Sequence, residues 1–76
     1  MELPTKHMLR AARAASGLSA KELAKRAKVN VATVWRAERT GPGHLTADVF
    51  TRIMAVLKAA GVVIEGNTIR VTRSKK

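Results

Sequence analysis

The sequence predicts a mainly α-helical fold, four short helices followed by a C-terminal β-hairpin. Three observations predict it. Four segments carry apolar residues at helical spacing, separated by Gly, Pro or a short turn. After Gly61 the apolar period changes from 3.6 to 2. Hydrophobic residues make up 46% of the chain, but alanine dilutes them and only Trp35 and Phe50 are aromatic. That composition suits closely packed helices better than an all-β core.

The first helix follows Pro4 and closes at Gly17, with Leu9, Ala12, Arg13 and Ser16 at helical spacing between them. Gly17 suits a left-handed residue just past a helix end. Ser19 caps the second helix, and Glu22 stands three residues later, which completes a capping box. Leu18 and Leu23 flank that cap as a hydrophobic staple. Leu23, Ala24 and Ala27 face inward, and the helix stops near Ala27. Asn30 caps a third helix, about residues 31–39, with Val34 and Ala37 inward. Thr40-Gly41-Pro42-Gly43 ends it. Thr46 caps the fourth helix, and Asp48 lies in its first turn, where a negative charge favours the helix dipole. Val49, Phe50, Ile53, Val56, Leu57 and Ala60 form its apolar stripe, up to Gly61.

Beyond Gly61, Val62, Ile64, Ile69 and Val71 alternate with Val63, Glu65, Thr68 and Arg70. Gly66-Asn67 fits a two-residue hairpin turn. Pairing across it sets Ile64 opposite Ile69 and Val62 opposite Val71, so that all four share one face. Thr72 to Lys76 reads as a mobile basic tail. The chain thus divides into residues 1–61, containing the helices, and residues 62–76, the hairpin and tail.

Size and charge bound the function. At 76 residues, one small domain is expected. It would bury only about 60–65% of its unfolded surface. With no Cys, neither disulfides nor thiolate metal sites can staple it. Tight helix packing, oligomerisation or both must supply stability. Fifteen Lys and Arg against five Asp and Glu give a net charge of +10, which points to a polyanionic partner. No apolar run approaches the ~20 residues of a membrane span. The amino terminus lacks the layout of a signal peptide, so a cytoplasmic, nucleoid-associated location is expected. At this length no separate sensor domain is expected.

Residues Leu18 to Arg39 carry most of the functional information. The second helix ends and the third begins across Lys28-Val29-Asn30. Ala24 is small where the two helices cross, Val29 plugs the turn, and Val34 holds the third helix against the second. The third helix then protrudes, and its outer face can enter a major groove about 12 Å wide. The first amides of the second helix would meet a phosphate.

Residues 9–41, LRAARAASGLSAKELAKRAKVNVATVWRAERTG, resemble the helix-turn-helix of phage-repressor-type (XRE, or Cro/repressor) regulators. The resemblance rests on Arg13…Gly17-Leu18-Ser19, Glu22-Leu23-Ala24, Val29-Asn30, Thr33-Val34 and Arg36-Ala37-Glu38-Arg39. It implies a lambda-repressor-like four-helix fold, a motif over residues 19–39 and a DNA-binding bacterial or phage regulator, usually dimeric. It further implies a buried, structural ion pair between Arg13 and Glu38. Base-reading positions correspond to Asn30, Val31, Ala32, Trp35 and Arg36, and phosphate-facing positions to Ser19, Ala20 and Arg39.

Two residues depart from that family. Lys28 stands where Gly is usual, and a left-handed Lys costs of order 1 kcal/mol; a turn of different shape is the alternative. Ala20 stands where Gln is common, so backbone amides, Ser19 and Lys21 must anchor the second helix. Lys28 and Arg39, beside the recognition unit, are the best phosphate contacts among the basic residues. Arg10, on the first helix and away from the motif, is a weaker phosphate candidate. Arg70, Arg73, Lys75 and Lys76 form either a DNA-contacting arm or a solubilising tail.

Each reader has a chemistry. Arg36 can fork onto guanine O6 and N7. Asn30 suits adenine or a phosphate, and Val31 and Ala32 suit thymine methyls. Trp35 suits sugars or thymine methyls, its indole NH a phosphate; a rim position on the small core is the bland alternative. His7 and His44 stand alone, without a second ligand at metal spacing. No catalytic constellation is visible, so neither an enzyme nor a cofactor is expected. The expectation is a homodimeric, sequence-specific regulator of double-stranded DNA, a repressor, joined through the hairpin, the fourth helix or both. It has no membrane partner and no small-molecule substrate. The alternatives are the antitoxin of a toxin–antitoxin pair and a nonspecific nucleoid protein.

Overall fold

The computed structural model describes residues 4–65 and 68–72. Among them four helices and one antiparallel hairpin follow the order expected: α1 (Lys6–Ser16), α2 (Ala20–Ala27), α3 (Val31–Thr40), α4 (Ala47–Ala59), β1 (Val62–Glu65) and β2 (Thr68–Val71). A single 3₁₀ turn, Pro42–His44, links α3 to α4.

The helix starts are local hydrogen-bond devices. Ser19 Oγ accepts from the Glu22 amide at 3.0 Å, and Glu22 Oε1 accepts from the Ser19 amide at 2.9 Å. This is the capping box read from the sequence. Asn30 Oδ1 accepts from the Ala32 amide at 2.8 Å, and Thr46 Oγ1 from the Val49 amide at 3.1 Å. Thr5, directly after Pro4, does the same for α1, accepting from the Met8 amide at 3.1 Å. Gly17 is left-handed, as its position after α1 requires.

The α2–α3 turn settles the question posed by Lys28. Its φ of 60° and ψ of 46° place it in the left-handed region, the only non-glycine with positive φ among the described residues. The Val29 amide donates to the Ala24 carbonyl at 2.9 Å, and the Lys28 amide to the Lys25 carbonyl at 3.2 Å. Those two bonds define a Schellman ending, whose geometry demands a left-handed residue between helix and exit. The turn therefore keeps its usual shape, and Lys28 carries the strain.

The core joins every helix to the hairpin. Ala12, Leu23, Ala24, Ala27, Val34, Ile53, Leu57 and Val62 form one buried cluster. Alanine dominates where α1, α2 and α3 meet, and the missing side-chain bulk lets their backbones close up. Val29 packs against this cluster, under the turn it was expected to plug.

The strands pair Val62 with Val71 and Ile64 with Ile69, the expected register. The shared face is not evenly covered. Val62 is 1% exposed, whereas Val71 is 52% exposed. β1 packs on both α1 and α4, whereas β2 packs chiefly on α1, so the outer strand overhangs the core. Thr72 extends the ladder by one pair beyond Val62 and Val71, its amide donating to the Gly61 carbonyl at 2.6 Å. The turn residues Gly66 and Asn67 and the tail residues 73–76 lie outside the described residues.

Candidate nucleic-acid interface

The position of α3 is set from its inner side. Val34 and Ala37 are buried, and Glu38 reaches toward α1. Arg13 Nε donates to Glu38 Oε2 at 2.6 Å and Nη2 to Glu38 Oε1 at 3.1 Å, a bidentate fork. Its third nitrogen, Nη1, donates to the Leu18 carbonyl at 3.1 Å. One guanidinium therefore fastens α1 to α3 and to the segment before α2. The Arg13 and Glu38 side chains are 22% and 11% exposed, so the pair is mostly desolvated. Its hydrogen bond and charge raise the Arg13 guanidinium further above its ordinary value, against the opposing effect of burial.

With that face sealed, the opposite face of α3 is free. Ala32, Trp35, Arg36 and Arg39 are exposed, and Trp35 is 54% accessible. Asn30 is exposed at the amino end. Val31 is half-buried and packs partly on the core, so only part of its side chain faces outward. Ala20 on α2 is in the same position. Neither Arg36 nor Arg39 forms an ion pair with any described residue, so both forks keep their donors.

Two candidate contacts are narrowed by their capping work. Asn30 Oδ1 already accepts from the Ala32 amide. Its free function is the Nδ2 donor pair, which reaches an acceptor but does not make the two-sided adenine contact. Ser19 is engaged through both amide and hydroxyl oxygen by the capping box. The hydroxyl proton and the next two amides, of Ala20 and Lys21, remain at the amino end of α2, where the helix dipole favours an anion.

The basic residues divide between two faces. Lys28 lines an open depression with Glu22, Lys25 and Arg26 on the outside of α2. Its carbonyl also accepts a long hydrogen bond, 3.4 Å, from Arg52 on α4, which pairs with Asp48 at 3.0 Å. Trp35 and Arg39 instead line a second open depression, with Arg10, Arg13 and Glu38. Arg10 is the weaker phosphate candidate of the sequence. Its signal was available: it precedes Arg13 by three positions, so both lie on one face of α1. On the hairpin, Arg70 donates to Glu65 at 2.8 Å, so the one described member of the proposed arm is already paired.

A buried two-helix joint, a tight turn and a third helix with a solvent-facing polar surface are the parts of a DNA-reading unit. The family model for the helix-turn-helix domain matches residues 7–65. The chain belongs to the helix-turn-helix domain family. This DNA-binding family is related to the Cro and phage-repressor type, in agreement with the resemblance carried by residues 9–41. No curated protein and no solved structure matches the chain. The matched span contains α1 to α4 and β1, with the α2–turn–α3 unit inside it. Among the described residues no helix is long and apolar enough to cross a membrane.

Proposed function

We propose that this helix-turn-helix domain is a sequence-specific regulator of double-stranded DNA that places α3 in the major groove and acts as a repressor. The observation that carries the reading is the two-sided character of α3. Its inner face is locked by Val34, Ala37 and the Arg13–Glu38 fork, while Ala32, Trp35, Arg36 and Arg39 face solvent. A helix held this firmly presents its outer side chains at fixed spacing, which base reading requires.

The roles follow from the donors left free. Arg36 forks onto guanine, Asn30 donates through Nδ2, and Ala32 with the exposed part of Val31 meets thymine methyls. Trp35 covers the adjoining sugar or methyl surface. Ser19, the Ala20 and Lys21 amides, Lys28 and Arg39 contact phosphates and fix the register. The surplus of positive charge supplies the salt-sensitive part of the affinity. The domain acts in the cytoplasm on the nucleoid, as a homodimer on half-sites about 34 Å apart. The overhanging strand β2, with Val71 exposed, supports the hairpin as part of the dimer surface.

Binding to genomic fragments at several salt concentrations tests the reading. The expected result is a steep loss of affinity with salt and a few strongly preferred sites. Arg36→Ala should relax preference at one base position by about 1–3 kcal/mol. A variant that keeps full sequence preference removes Arg36 from the readers. Sedimentation that gives a monomer at micromolar concentration, with and without DNA, removes the dimer.

A further inference from the structure

The depression between α1 and α3 has an unusual lining. Its floor is the Arg13–Glu38 fork, whose charges neutralise each other. Its rim carries Arg10 from α1, Arg39 from α3 and the exposed face of Trp35. Neither Arg10 nor Arg39 forms an ion pair with a described residue. Two uncompensated guanidinium groups on separate helices therefore flank one large apolar ring. The one carboxylate among the described lining residues, Glu38, is consumed by Arg13, so it does not cancel their field.

That pattern matches a repeating ligand in which charged and apolar surfaces alternate. A free phosphate would use the arginines and leave the indole unoccupied. A sugar–phosphate strand offers phosphate oxygens to the guanidinium forks and a deoxyribose to the ring. The depression is also continuous with the outer face of α3 through Trp35 and Arg39.

Resting on the reading of α3 as the recognition helix, we propose that this depression is a second DNA-backbone subsite, to which α1 contributes Arg10. Arg10 and Arg39 hold phosphate oxygens, and Trp35 lies against the deoxyribose between them. The Arg13–Glu38 fork sets the spacing of the two arginines by joining their helices. The DNA footprint then extends beyond the two motif helices to α1.

The test uses the full chain and a labelled mixed-sequence duplex of 20 base pairs. Trp35 is the only tryptophan, so its emission reports directly on the subsite. Duplex addition should change that emission, and rising salt should reverse the change. Arg10→Gln should make the slope of log affinity against log salt shallower by about 0.9, one phosphate contact. Across a fourfold rise in salt it should lose about 3.5-fold less affinity than the parent. Arg10→Lys should retain the parent slope, and circular dichroism should show both variants folded. If the duplex binds but Trp35 emission and the Arg10→Gln slope are unchanged, the subsite is overturned and DNA binding by α3 stands. If inorganic phosphate at matched ionic strength reproduces the emission change, the depression is a small-anion site and the proposal falls. If the duplex does not bind at all, both readings fall.

Discussion

Helix α3 is held by two joints built from different physics. Toward α1 it is tied by side chains, through the bidentate Arg13–Glu38 fork in a mostly desolvated setting. Toward α2 it is tied by backbone, through a Schellman ending that forces Lys28 into the left-handed region. The first joint gains from low dielectric, because water competes weakly for the donors. The second is strained, because a side chain occupies a conformation that glycine takes without cost. Both fix the same helix, yet one is weakened by removing a group and the other should be improved by it.

The largest expected effect breaks the first joint. Glu38→Ala leaves Arg13 charged and partly buried, with only the Leu18 carbonyl as partner. We expect a loss of about 3 kcal/mol in denaturant unfolding, at the lower end for a broken buried pair since both groups keep some exposure. A loss below about 1 kcal/mol would make the fork equivalent to an ordinary surface pair.

A smaller, opposite effect should follow at the second joint. Lys28→Gly relieves the left-handed strain but adds freedom to the unfolded chain. The net gain should be about 0.5–1 kcal/mol, raising the melting temperature by roughly 2–8 °C for a domain of this size. Thermal unfolding at equal ionic strength measures it. A fall in melting temperature would show that the strain argument is wrong.

The smallest effect lies at the start of α2, the element both joints serve. The Ser19 amide and hydroxyl hold the Glu22 carboxyl below its ordinary range, with Arg26 adding a minor contribution. A carboxyl with a lower pKa in the folded state stabilises the fold above its unfolded pKa. That contribution is lost as pH falls through the folded value. Glu22→Gln, which keeps an acceptor for the Ser19 amide but carries no charge, should flatten the acid side of the stability profile by lowering neutral stability slightly toward the acid value. Parallel slopes for parent and variant between about pH 5 and pH 2 would rule this out.

The local parts of this fold were legible because their causes are near in sequence. Ser19 and Glu22 lie one helical turn apart, so the capping box needs no tertiary partner. The alternation from Val62 to Val71 specified the hairpin register, since a one-residue slip would turn the apolar face outward. Charge and motif spacing together pointed to DNA. The candidate readers on α3 were identifiable because Val34 and Ala37 define an inner face and leave the opposite one outside.

Other features depend on how the elements cross. Whether Lys28 would accept a left-handed backbone or force another turn was undecidable from its identity. The answer came from Val29 and Ala24, whose burial rewards the Schellman geometry more than Lys28 opposes it. The uneven cover of the hairpin depends on which strand packs more closely on the helices, and that left Val71 exposed opposite the buried Val62. Arg10 stands beside Trp35 and Arg39 only because the Arg13–Glu38 fork brings α1 and α3 together. By itself the sequence determined the helices, the caps of α2, α3 and α4, the strand register and the solvent-facing side of α3, all set by hydrogen bonds and periodicity among near neighbours. Tertiary structure alone decided which distant side chains share a surface, because side-chain packing and one desolvated ion pair set the angle between helices.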